Sequence, residues 1–143
     1  MRKIIGSVVL IVMAVNYLKA TGISFGIGTG VTSYGNGTIG ASLEVCYVPV
    51  SFKLLVTRHA EGGAIILTPQ IICSRGFLMP YAGMGLGMQF SKSRYFCFYL
   101  PIGCKFRLAE HMGVETTVNY GMVFKDSKIS DFGLFIGIYY HLL

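Results

Sequence analysis

The residues best placed to do chemistry in this chain are five charges. Glu44, Lys53, Lys105, Arg107 and Glu115 each fall on the small or polar side of an alternating pattern. A charge removed from water needs a partner. Lys105 and Glu115 flank a turn near Glu110-His111, which predicts a cross-strand Lys105–Glu115 ion pair with Arg107 beside it. Glu44 and Lys53 flank Pro49 and are expected to lie close in the same way. Such a set could act as a plug of paired charges or, alternatively, as a proton or ion path.

Other groups carry less. His59, His111 and His141 are not spaced as a metal cluster, and His59 and His111 lie beside turns at opposite ends. Gly83-Met-Gly-Leu-Gly87 has the spacing of a nucleotide loop, but it alternates within a strand pattern and no helix follows. Four cysteines in an exported chain invite disulfides. Cys46 and Cys97 fall inward but on separate strands near opposite ends. Cys73 and Cys104 face outward on non-adjacent strands. Four free thiols, behaving as small apolar groups, are expected. No catalytic, cofactor-binding or metal-ligating residue emerges.

The elements that must position the five charges are strands. Hydrophobic residues make up 53% of the 143 and charged residues 13%, about half the ~25% charge of ordinary soluble domains. The only helical-looking apolar run is N-terminal. Arg2 and Lys3 precede Ile4 to Val15, then Asn16, Tyr17 and Lys19 turn polar before Ala20. This is the anatomy of a cleavable signal peptide over residues 1–20, which leaves one domain over 21–143. Loss of Arg2, Lys3 and Lys19 lowers the formal charge from +6 to +3. No basic stripe with interleaved aromatics remains, which excludes nucleic-acid binding. Past Ala20 no apolar run is long enough to cross a bilayer as a helix. A chain this apolar can still satisfy its backbone in a membrane as a closed barrel.

The period-two pattern supports that reading. Ile23, Phe25, Ile27, Thr29 and Val31 alternate with Ser24, Gly26, Gly28 and Gly30, and Tyr34-Gly-Asn-Gly37 signals a turn. Ile39, Ala41, Leu43, Val45 and Tyr47 alternate with Thr38, Gly40, Ser42, Glu44 and Cys46. Phe52, Leu54 and Val56 alternate with Ser51, Lys53, Leu55 and Thr57. A weaker fourth segment near 63–73 contains Pro69. Later segments put Leu78 to Phe90, Phe96 to Leu108, Val114 to Phe124 and Phe132 to Leu142 outward at every second position. Eight segments with short connections predict an all-β, eight-stranded antiparallel transmembrane up-and-down barrel with both ends on the periplasmic side. Its interior should be filled by side chains. Phe90, Phe96, Phe124 and Phe132 are expected near one rim, and Tyr47, Phe52, Phe106 and Tyr140 near the other. Pro69, Pro80 and Pro101 imply bulges or lost ladder bonds.

Residues 22–143 resemble the OmpA/OmpX-type outer-membrane β-barrel domains, the small porin-family barrels. The resemblance is carried by Tyr81-Ala-Gly-Met-Gly-Leu-Gly87, by Gly103-Cys-Lys-Phe-Arg107 with Gly113-Val-Glu-Thr, and by Gly133-Leu-Phe-Ile-Gly-Ile-Tyr-Tyr140. It implies export to the bacterial outer membrane, contact with the barrel-assembly machinery during biogenesis, and a monomer among membrane lipids. The chain departs from the family at its end, where Leu142-Leu143 stands in place of a terminal aromatic residue. Arg58, Lys92, Arg94, Lys125 and Lys128 form a basic outer rim that could meet lipopolysaccharide phosphates. A structural or interaction barrel without enzymatic activity or cofactor is the first reading, and a small-solute or ion channel the alternative. A lipid-modifying enzyme would need a His-Ser-acid set on the outer surface. His59 and His141 have no serine two residues on, and Ser42 and Ser51 face inward. A soluble calyx would invert the two faces of every strand.

Overall fold

The computed structural model describes residues 22–32, 37–47, 49–73, 76–124 and 128–142. The leader at 1–20, most of the first turn signal (Tyr34 to Asn36) and Lys125 lie outside the described residues. Nine strand segments follow in chain order: β1 (Gly22–Thr32), β2 (Gly37–Tyr47), β3 (Val50–His59), β4 (Gly62–Ile72), β5 (Leu78–Gly83), β6 (Gly85–Phe90), β7 (Arg94–Arg107), β8 (Met112–Phe124) and β9 (Lys128–His141). Each pairs antiparallel with its neighbours, and β9 pairs with β1 to close the sheet. The barrel therefore has no free edge. β5 and β6 are one stave interrupted at Met84, so eight staves form the wall. The end carrying Gly22 and His141 is called the lower end here, and the opposite one the upper.

The interruption has a chemical cause. Met84 lies opposite Pro69, whose carbonyl accepts the Met84 N–H at 3.1 Å. Pro69 has no N–H to return the second bond of that pair. On the other side, the ladder of β5 and β6 with β7 lapses between Ala82↔Ile102 and Gly85↔Tyr99, where Pro101 stands. The register is the same above and below the gap. The prolines therefore cost ladder bonds without inserting a bulge.

The alternation read from the sequence holds through every stave. Ile27, Ile39 and Ile102 are 57%, 63% and 64% exposed, whereas Glu44, Lys53, Lys105 and Glu115 are 3–6% exposed. Apolar side chains cover the outside and the charges lie inside, the reverse of a water-soluble barrel. Phe96 and Phe124 meet on adjacent staves near the upper rim, with ring centroids 5.9 Å apart. The weak fourth segment forms a regular strand. Ala64, Ile66, Thr68, Gln70 and Ile72 turn inward, while Ile65, Leu67, Pro69 and Ile71 turn outward.

Four of the inward aromatics follow one rule. Tyr81 faces Gly103, Tyr99 faces Gly121, Phe135 faces Gly30 and Tyr139 faces Gly113, each directly across a strand pair. A β-carbon on Gly103 would stand 2.6 Å from the Tyr81 Cζ and hydroxyl, and one on Gly121 2.5 Å from Tyr99 Cε1. Each ring lies close against the bare backbone of its neighbour, the pairing known to stabilise glycines in sheets.

Candidate functional site

The lower half of the interior holds four buried charges on four staves: Glu44 on β2, Lys53 on β3, Lys105 on β7 and Glu115 on β8. Register sets Glu44 directly beside Lys53, and Lys105 directly beside Glu115. The expected pairing nevertheless fails. Lys53 Nζ bonds Glu115, and Lys105 Nζ bonds Glu44. Counted around the closed wall, β3 and β8 are four staves apart in both directions, and so are β2 and β7. Both bridges are therefore diameters of the barrel. The reason is geometric. Neighbouring inward side chains leave the wall side by side, and a lysine is long enough to carry its ammonium to the axis of an eight-stranded barrel. There it meets the carboxylate arriving from the opposite wall.

Polar and aromatic groups complete the cluster. Tyr81 donates its hydroxyl hydrogen to Glu115, and Thr117 Oγ1 lies within hydrogen-bonding reach of the same hydroxyl. Gln70 Nε2 donates to Glu44 Oε1 at 2.9 Å. Both ammonium groups lie over the Tyr81 ring, Lys53 at 5.8 Å and Lys105 at 5.7 Å from its centroid, and Lys105 is also 5.6 Å from the Tyr139 ring. Such contacts favour a desolvated cation. Beneath them Ile72, Met79, Tyr81 and Tyr139 pack together against Cys46. Arg107 shares the inward phase but ends β7 exposed to solvent, outside the two bridges. It is thus a charge of the lower mouth and not of the buried cluster.

Above the cluster the interior is not filled, which corrects the expectation of a packed lumen. A cavity of about 560 Å³ runs from His59, Glu61 and Ser91 at the upper end down to Lys53, Gln70 and Tyr81. The upper inward positions carry too little volume to meet at the axis, with glycine at 30, 85 and 87, alanine at 64 and threonine at 57. Ala64, Ile66, Cys97 and Val123 form one wall of this cup, with Leu55, Tyr95 and Tyr99 packed against them. From Gly62 to Gln70, β4 descends eight residues, ~26 Å at ~3.3 Å each. That is ~20 Å along the axis of a barrel whose strands tilt by about 40°.

A further contact joins residues far apart in sequence. Ser24 Oγ and His141 Nδ1 lie 2.5 Å apart where β1 meets β9. Neither residue lines the cup, so the pair fastens the closing seam near the lower end. Only the strand pairing of the two chain ends could have disclosed it. Arg58 ends the outward phase of β3, Arg94 opens that of β7, and Lys92 sits in the turn before it, all three exposed. Lys128 opens β9. All four cysteines carry free thiols, Cys97 fully buried and Cys73 exposed. Among the described residues no group of His, Cys, Asp and Glu could hold a metal ion.

Known structures share this architecture. The N-terminal β-barrel domain of Pseudomonas aeruginosa OprF superposes with a TM-score of 0.73 at 13% identity, covering 86% of this chain and 98% of that one. The fold is that of the OmpA/OmpX-type small barrels. Neisserial surface protein A (NspA) gives a TM-score of 0.64 at 11% identity over 83% of this chain and 94% of its own. A de novo designed transmembrane β-barrel gives 0.69 at 12%, over 86% and 97%. No protein-family model matches the sequence, and no curated protein does either.

Proposed function

We propose that this protein is a small integral barrel of a bacterial outer membrane, closed across its lumen, with a structural or binding role and no through-channel. Its upper end faces the outside and its lower end the periplasm. The observation that carries the closure is the crossing of the lumen by two buried ion bridges along two diameters. The membrane setting is supported by the apolar outer face, because large exposed apolar patches on a soluble monomer lead to association. Strands of 10–14 residues in the unbroken staves meet the roughly 9–11 residues that a membrane strand needs. Residues 1–20 serve in this reading as the export signal.

The upper rim supports a second element of the proposal. Arg58 and Arg94 point outward at the level where strands give way to turns, which is where phosphate groups of lipopolysaccharide would lie. Exchanging both for glutamine should reduce the lipopolysaccharide that co-purifies.

Planar-bilayer recording tests the closure. The purified barrel should give no discrete conductance steps, and reproducible single-channel steps would overturn the closed reading in favour of a pore. Fractionation tests the membrane: recovery of the folded chain from the soluble periplasm would defeat that part.

A further inference from the structure

The cup raises a question that the closed lumen does not answer, namely why an eight-stranded barrel leaves a cavity in its upper half. A volume of about 560 Å³ falls within the ~300–1,000 Å³ of small-molecule sites. The cup is deep, blind and mixed in chemistry. Leu55, Ile66 and Phe135 give apolar wall, while the floor is polar.

One atom of that floor stands out. Gln70 is 2% exposed, and its Oε1 is buried without a hydrogen-bond partner. The orientation of its amide is fixed by chemistry, because Nε2 must face the Glu44 carboxylate to which it donates. The carbonyl oxygen is therefore the atom left over, on a residue that lines the cup; it is itself shielded, so a bound donor reaches it only when a side-chain movement uncovers it. A buried acceptor without a donor is destabilising, and a donor supplied by a ligand would relieve it. Of the other floor groups, Lys53 is engaged with Glu115, and Tyr81 with Glu115 and Thr117. The two bridges cancel in charge. An acceptor at the bottom and a carboxylate at the rim, Glu61, both select for a donor.

We infer that the cup is a binding site for a small amphipathic molecule, with an alkyl or aryl body and one hydroxyl or amino head, which enters head first from the upper end and donates a hydrogen bond to Gln70 Oε1. The wall between rim and floor takes the apolar body. The inference rests on the proposed barrel and on its upper end being open to the outside.

The test uses the full barrel folded in lipid nanodiscs, with 4-propylphenol as probe and 4-propylanisole as the matched compound without a donor. Nuclear magnetic resonance follows methyl shifts and ligand-to-protein contacts. The phenol should bind saturably, with contacts to the Ile66 and Leu55 methyls, and at least tenfold more tightly than the anisole. Gln70→Leu should remove that preference while leaving weak binding of both. Since Gln70 also donates to Glu44, Ala64→Phe serves as an independent variant that fills the cup without touching the bridges; it should abolish saturable binding of the phenol while far-UV circular dichroism stays unchanged. Equal affinity for phenol and anisole, contacts confined to the outer face, or undiminished binding to folded Ala64→Phe would overturn the inference. Conductance steps in the bilayer experiment together with intact phenol selectivity would remove the closed-lumen reading alone. Silence in the bilayer together with no saturable binding would remove the cup alone.

Discussion

Replacing Glu115 by glutamine should destabilise the barrel by about 3 kcal/mol, and a second substitution should undo most of that loss. Glu115 is 4% exposed and accepts from Lys53, from the Tyr81 hydroxyl and, at 3.4 Å, from Thr117. Glutamine keeps the shape and one carbonyl acceptor but removes the charge. Lys53, 6% exposed, then keeps the Tyr81 ring at 5.8 Å as its compensation. Removing one member of a buried ion pair costs ~3–5 kcal/mol, and a desolvated cation–π contact returns up to ~2 kcal/mol of this. The amide still accepts from Tyr81, which sets the expected loss near ~3 kcal/mol. Lys53→Met with Glu115→Gln removes both charges, restores neutrality and should fall within about 1 kcal/mol of the parent, as replaced buried pairs often do. With no tryptophan in the chain, urea unfolding in lipid vesicles is followed by far-UV circular dichroism and by heat-modifiable gel mobility. A Glu115→Gln barrel within about 1 kcal/mol of the parent, or a double variant no more stable than the single losses added together, would refute the reasoning.

Three further outcomes follow from the packing. Gly103→Ala should lower stability by ~1–3 kcal/mol, as overpacked sites do, because the new methyl meets the Tyr81 Cζ and hydroxyl at 2.6 Å; urea midpoints measure it, and an unchanged midpoint would contradict the close seating of Tyr81 on Gly103. Ile102→Arg, at a 64% exposed position midway along β7, should cost about 2–4 kcal/mol in lipid, as lipid-facing charges near the midplane do; no loss on refolding into vesicles would mean that this face does not meet hydrocarbon. Cys97, with no exposed surface, should resist maleimide until the barrel unfolds, whereas exposed Cys73 should react in the folded protein; mass spectrometry of labelled peptides reads both.

The strand pattern was legible because a barrel in lipid obeys one rule at every position, apolar outward and small or polar inward. Even the segment around Pro69 obeys it, although Ile65, Ile66 and Leu67 run together in the sequence, because Ile66 packs inside with Ala64 and Cys97. The inward phase of Glu44, Lys53, Lys105 and Glu115 was legible for the same reason. Their partners were not. Hairpin spacing reports which residues neighbour each other along the wall, but says nothing of which tips meet at the axis. That depends on closure, and closure is decided by the pairing of β1 with β9. The Ser24–His141 contact was hidden by the same gap of 117 positions. The cup did leave a trace: glycine, alanine and threonine dominate the upper inward positions, while lysine, glutamate, methionine and tyrosine crowd the lower ones. Summing inward side-chain volume for each half would have shown one end underfilled.

That division of volume explains how one uniform wall yields two different halves. Eight staves fix the bore, so the side chains alone decide whether a given level is closed. In the lower half two lysines span the bore and need anions at their tips, which is why the acids stand on the opposite staves and not at random. Neighbours in register could also have neutralised one another, but side by side along the wall they would have left the axis empty. The diametric arrangement neutralises charge and fills space with the same four residues. It also orders Tyr81, whose ring lies under both ammonium groups and whose hydroxyl bonds Glu115. Tyr81 is in turn seated on Gly103. Tyr81 therefore depends on space left bare on the neighbouring stave, and the floor of the cup depends on that bare glycine as much as on the charges themselves.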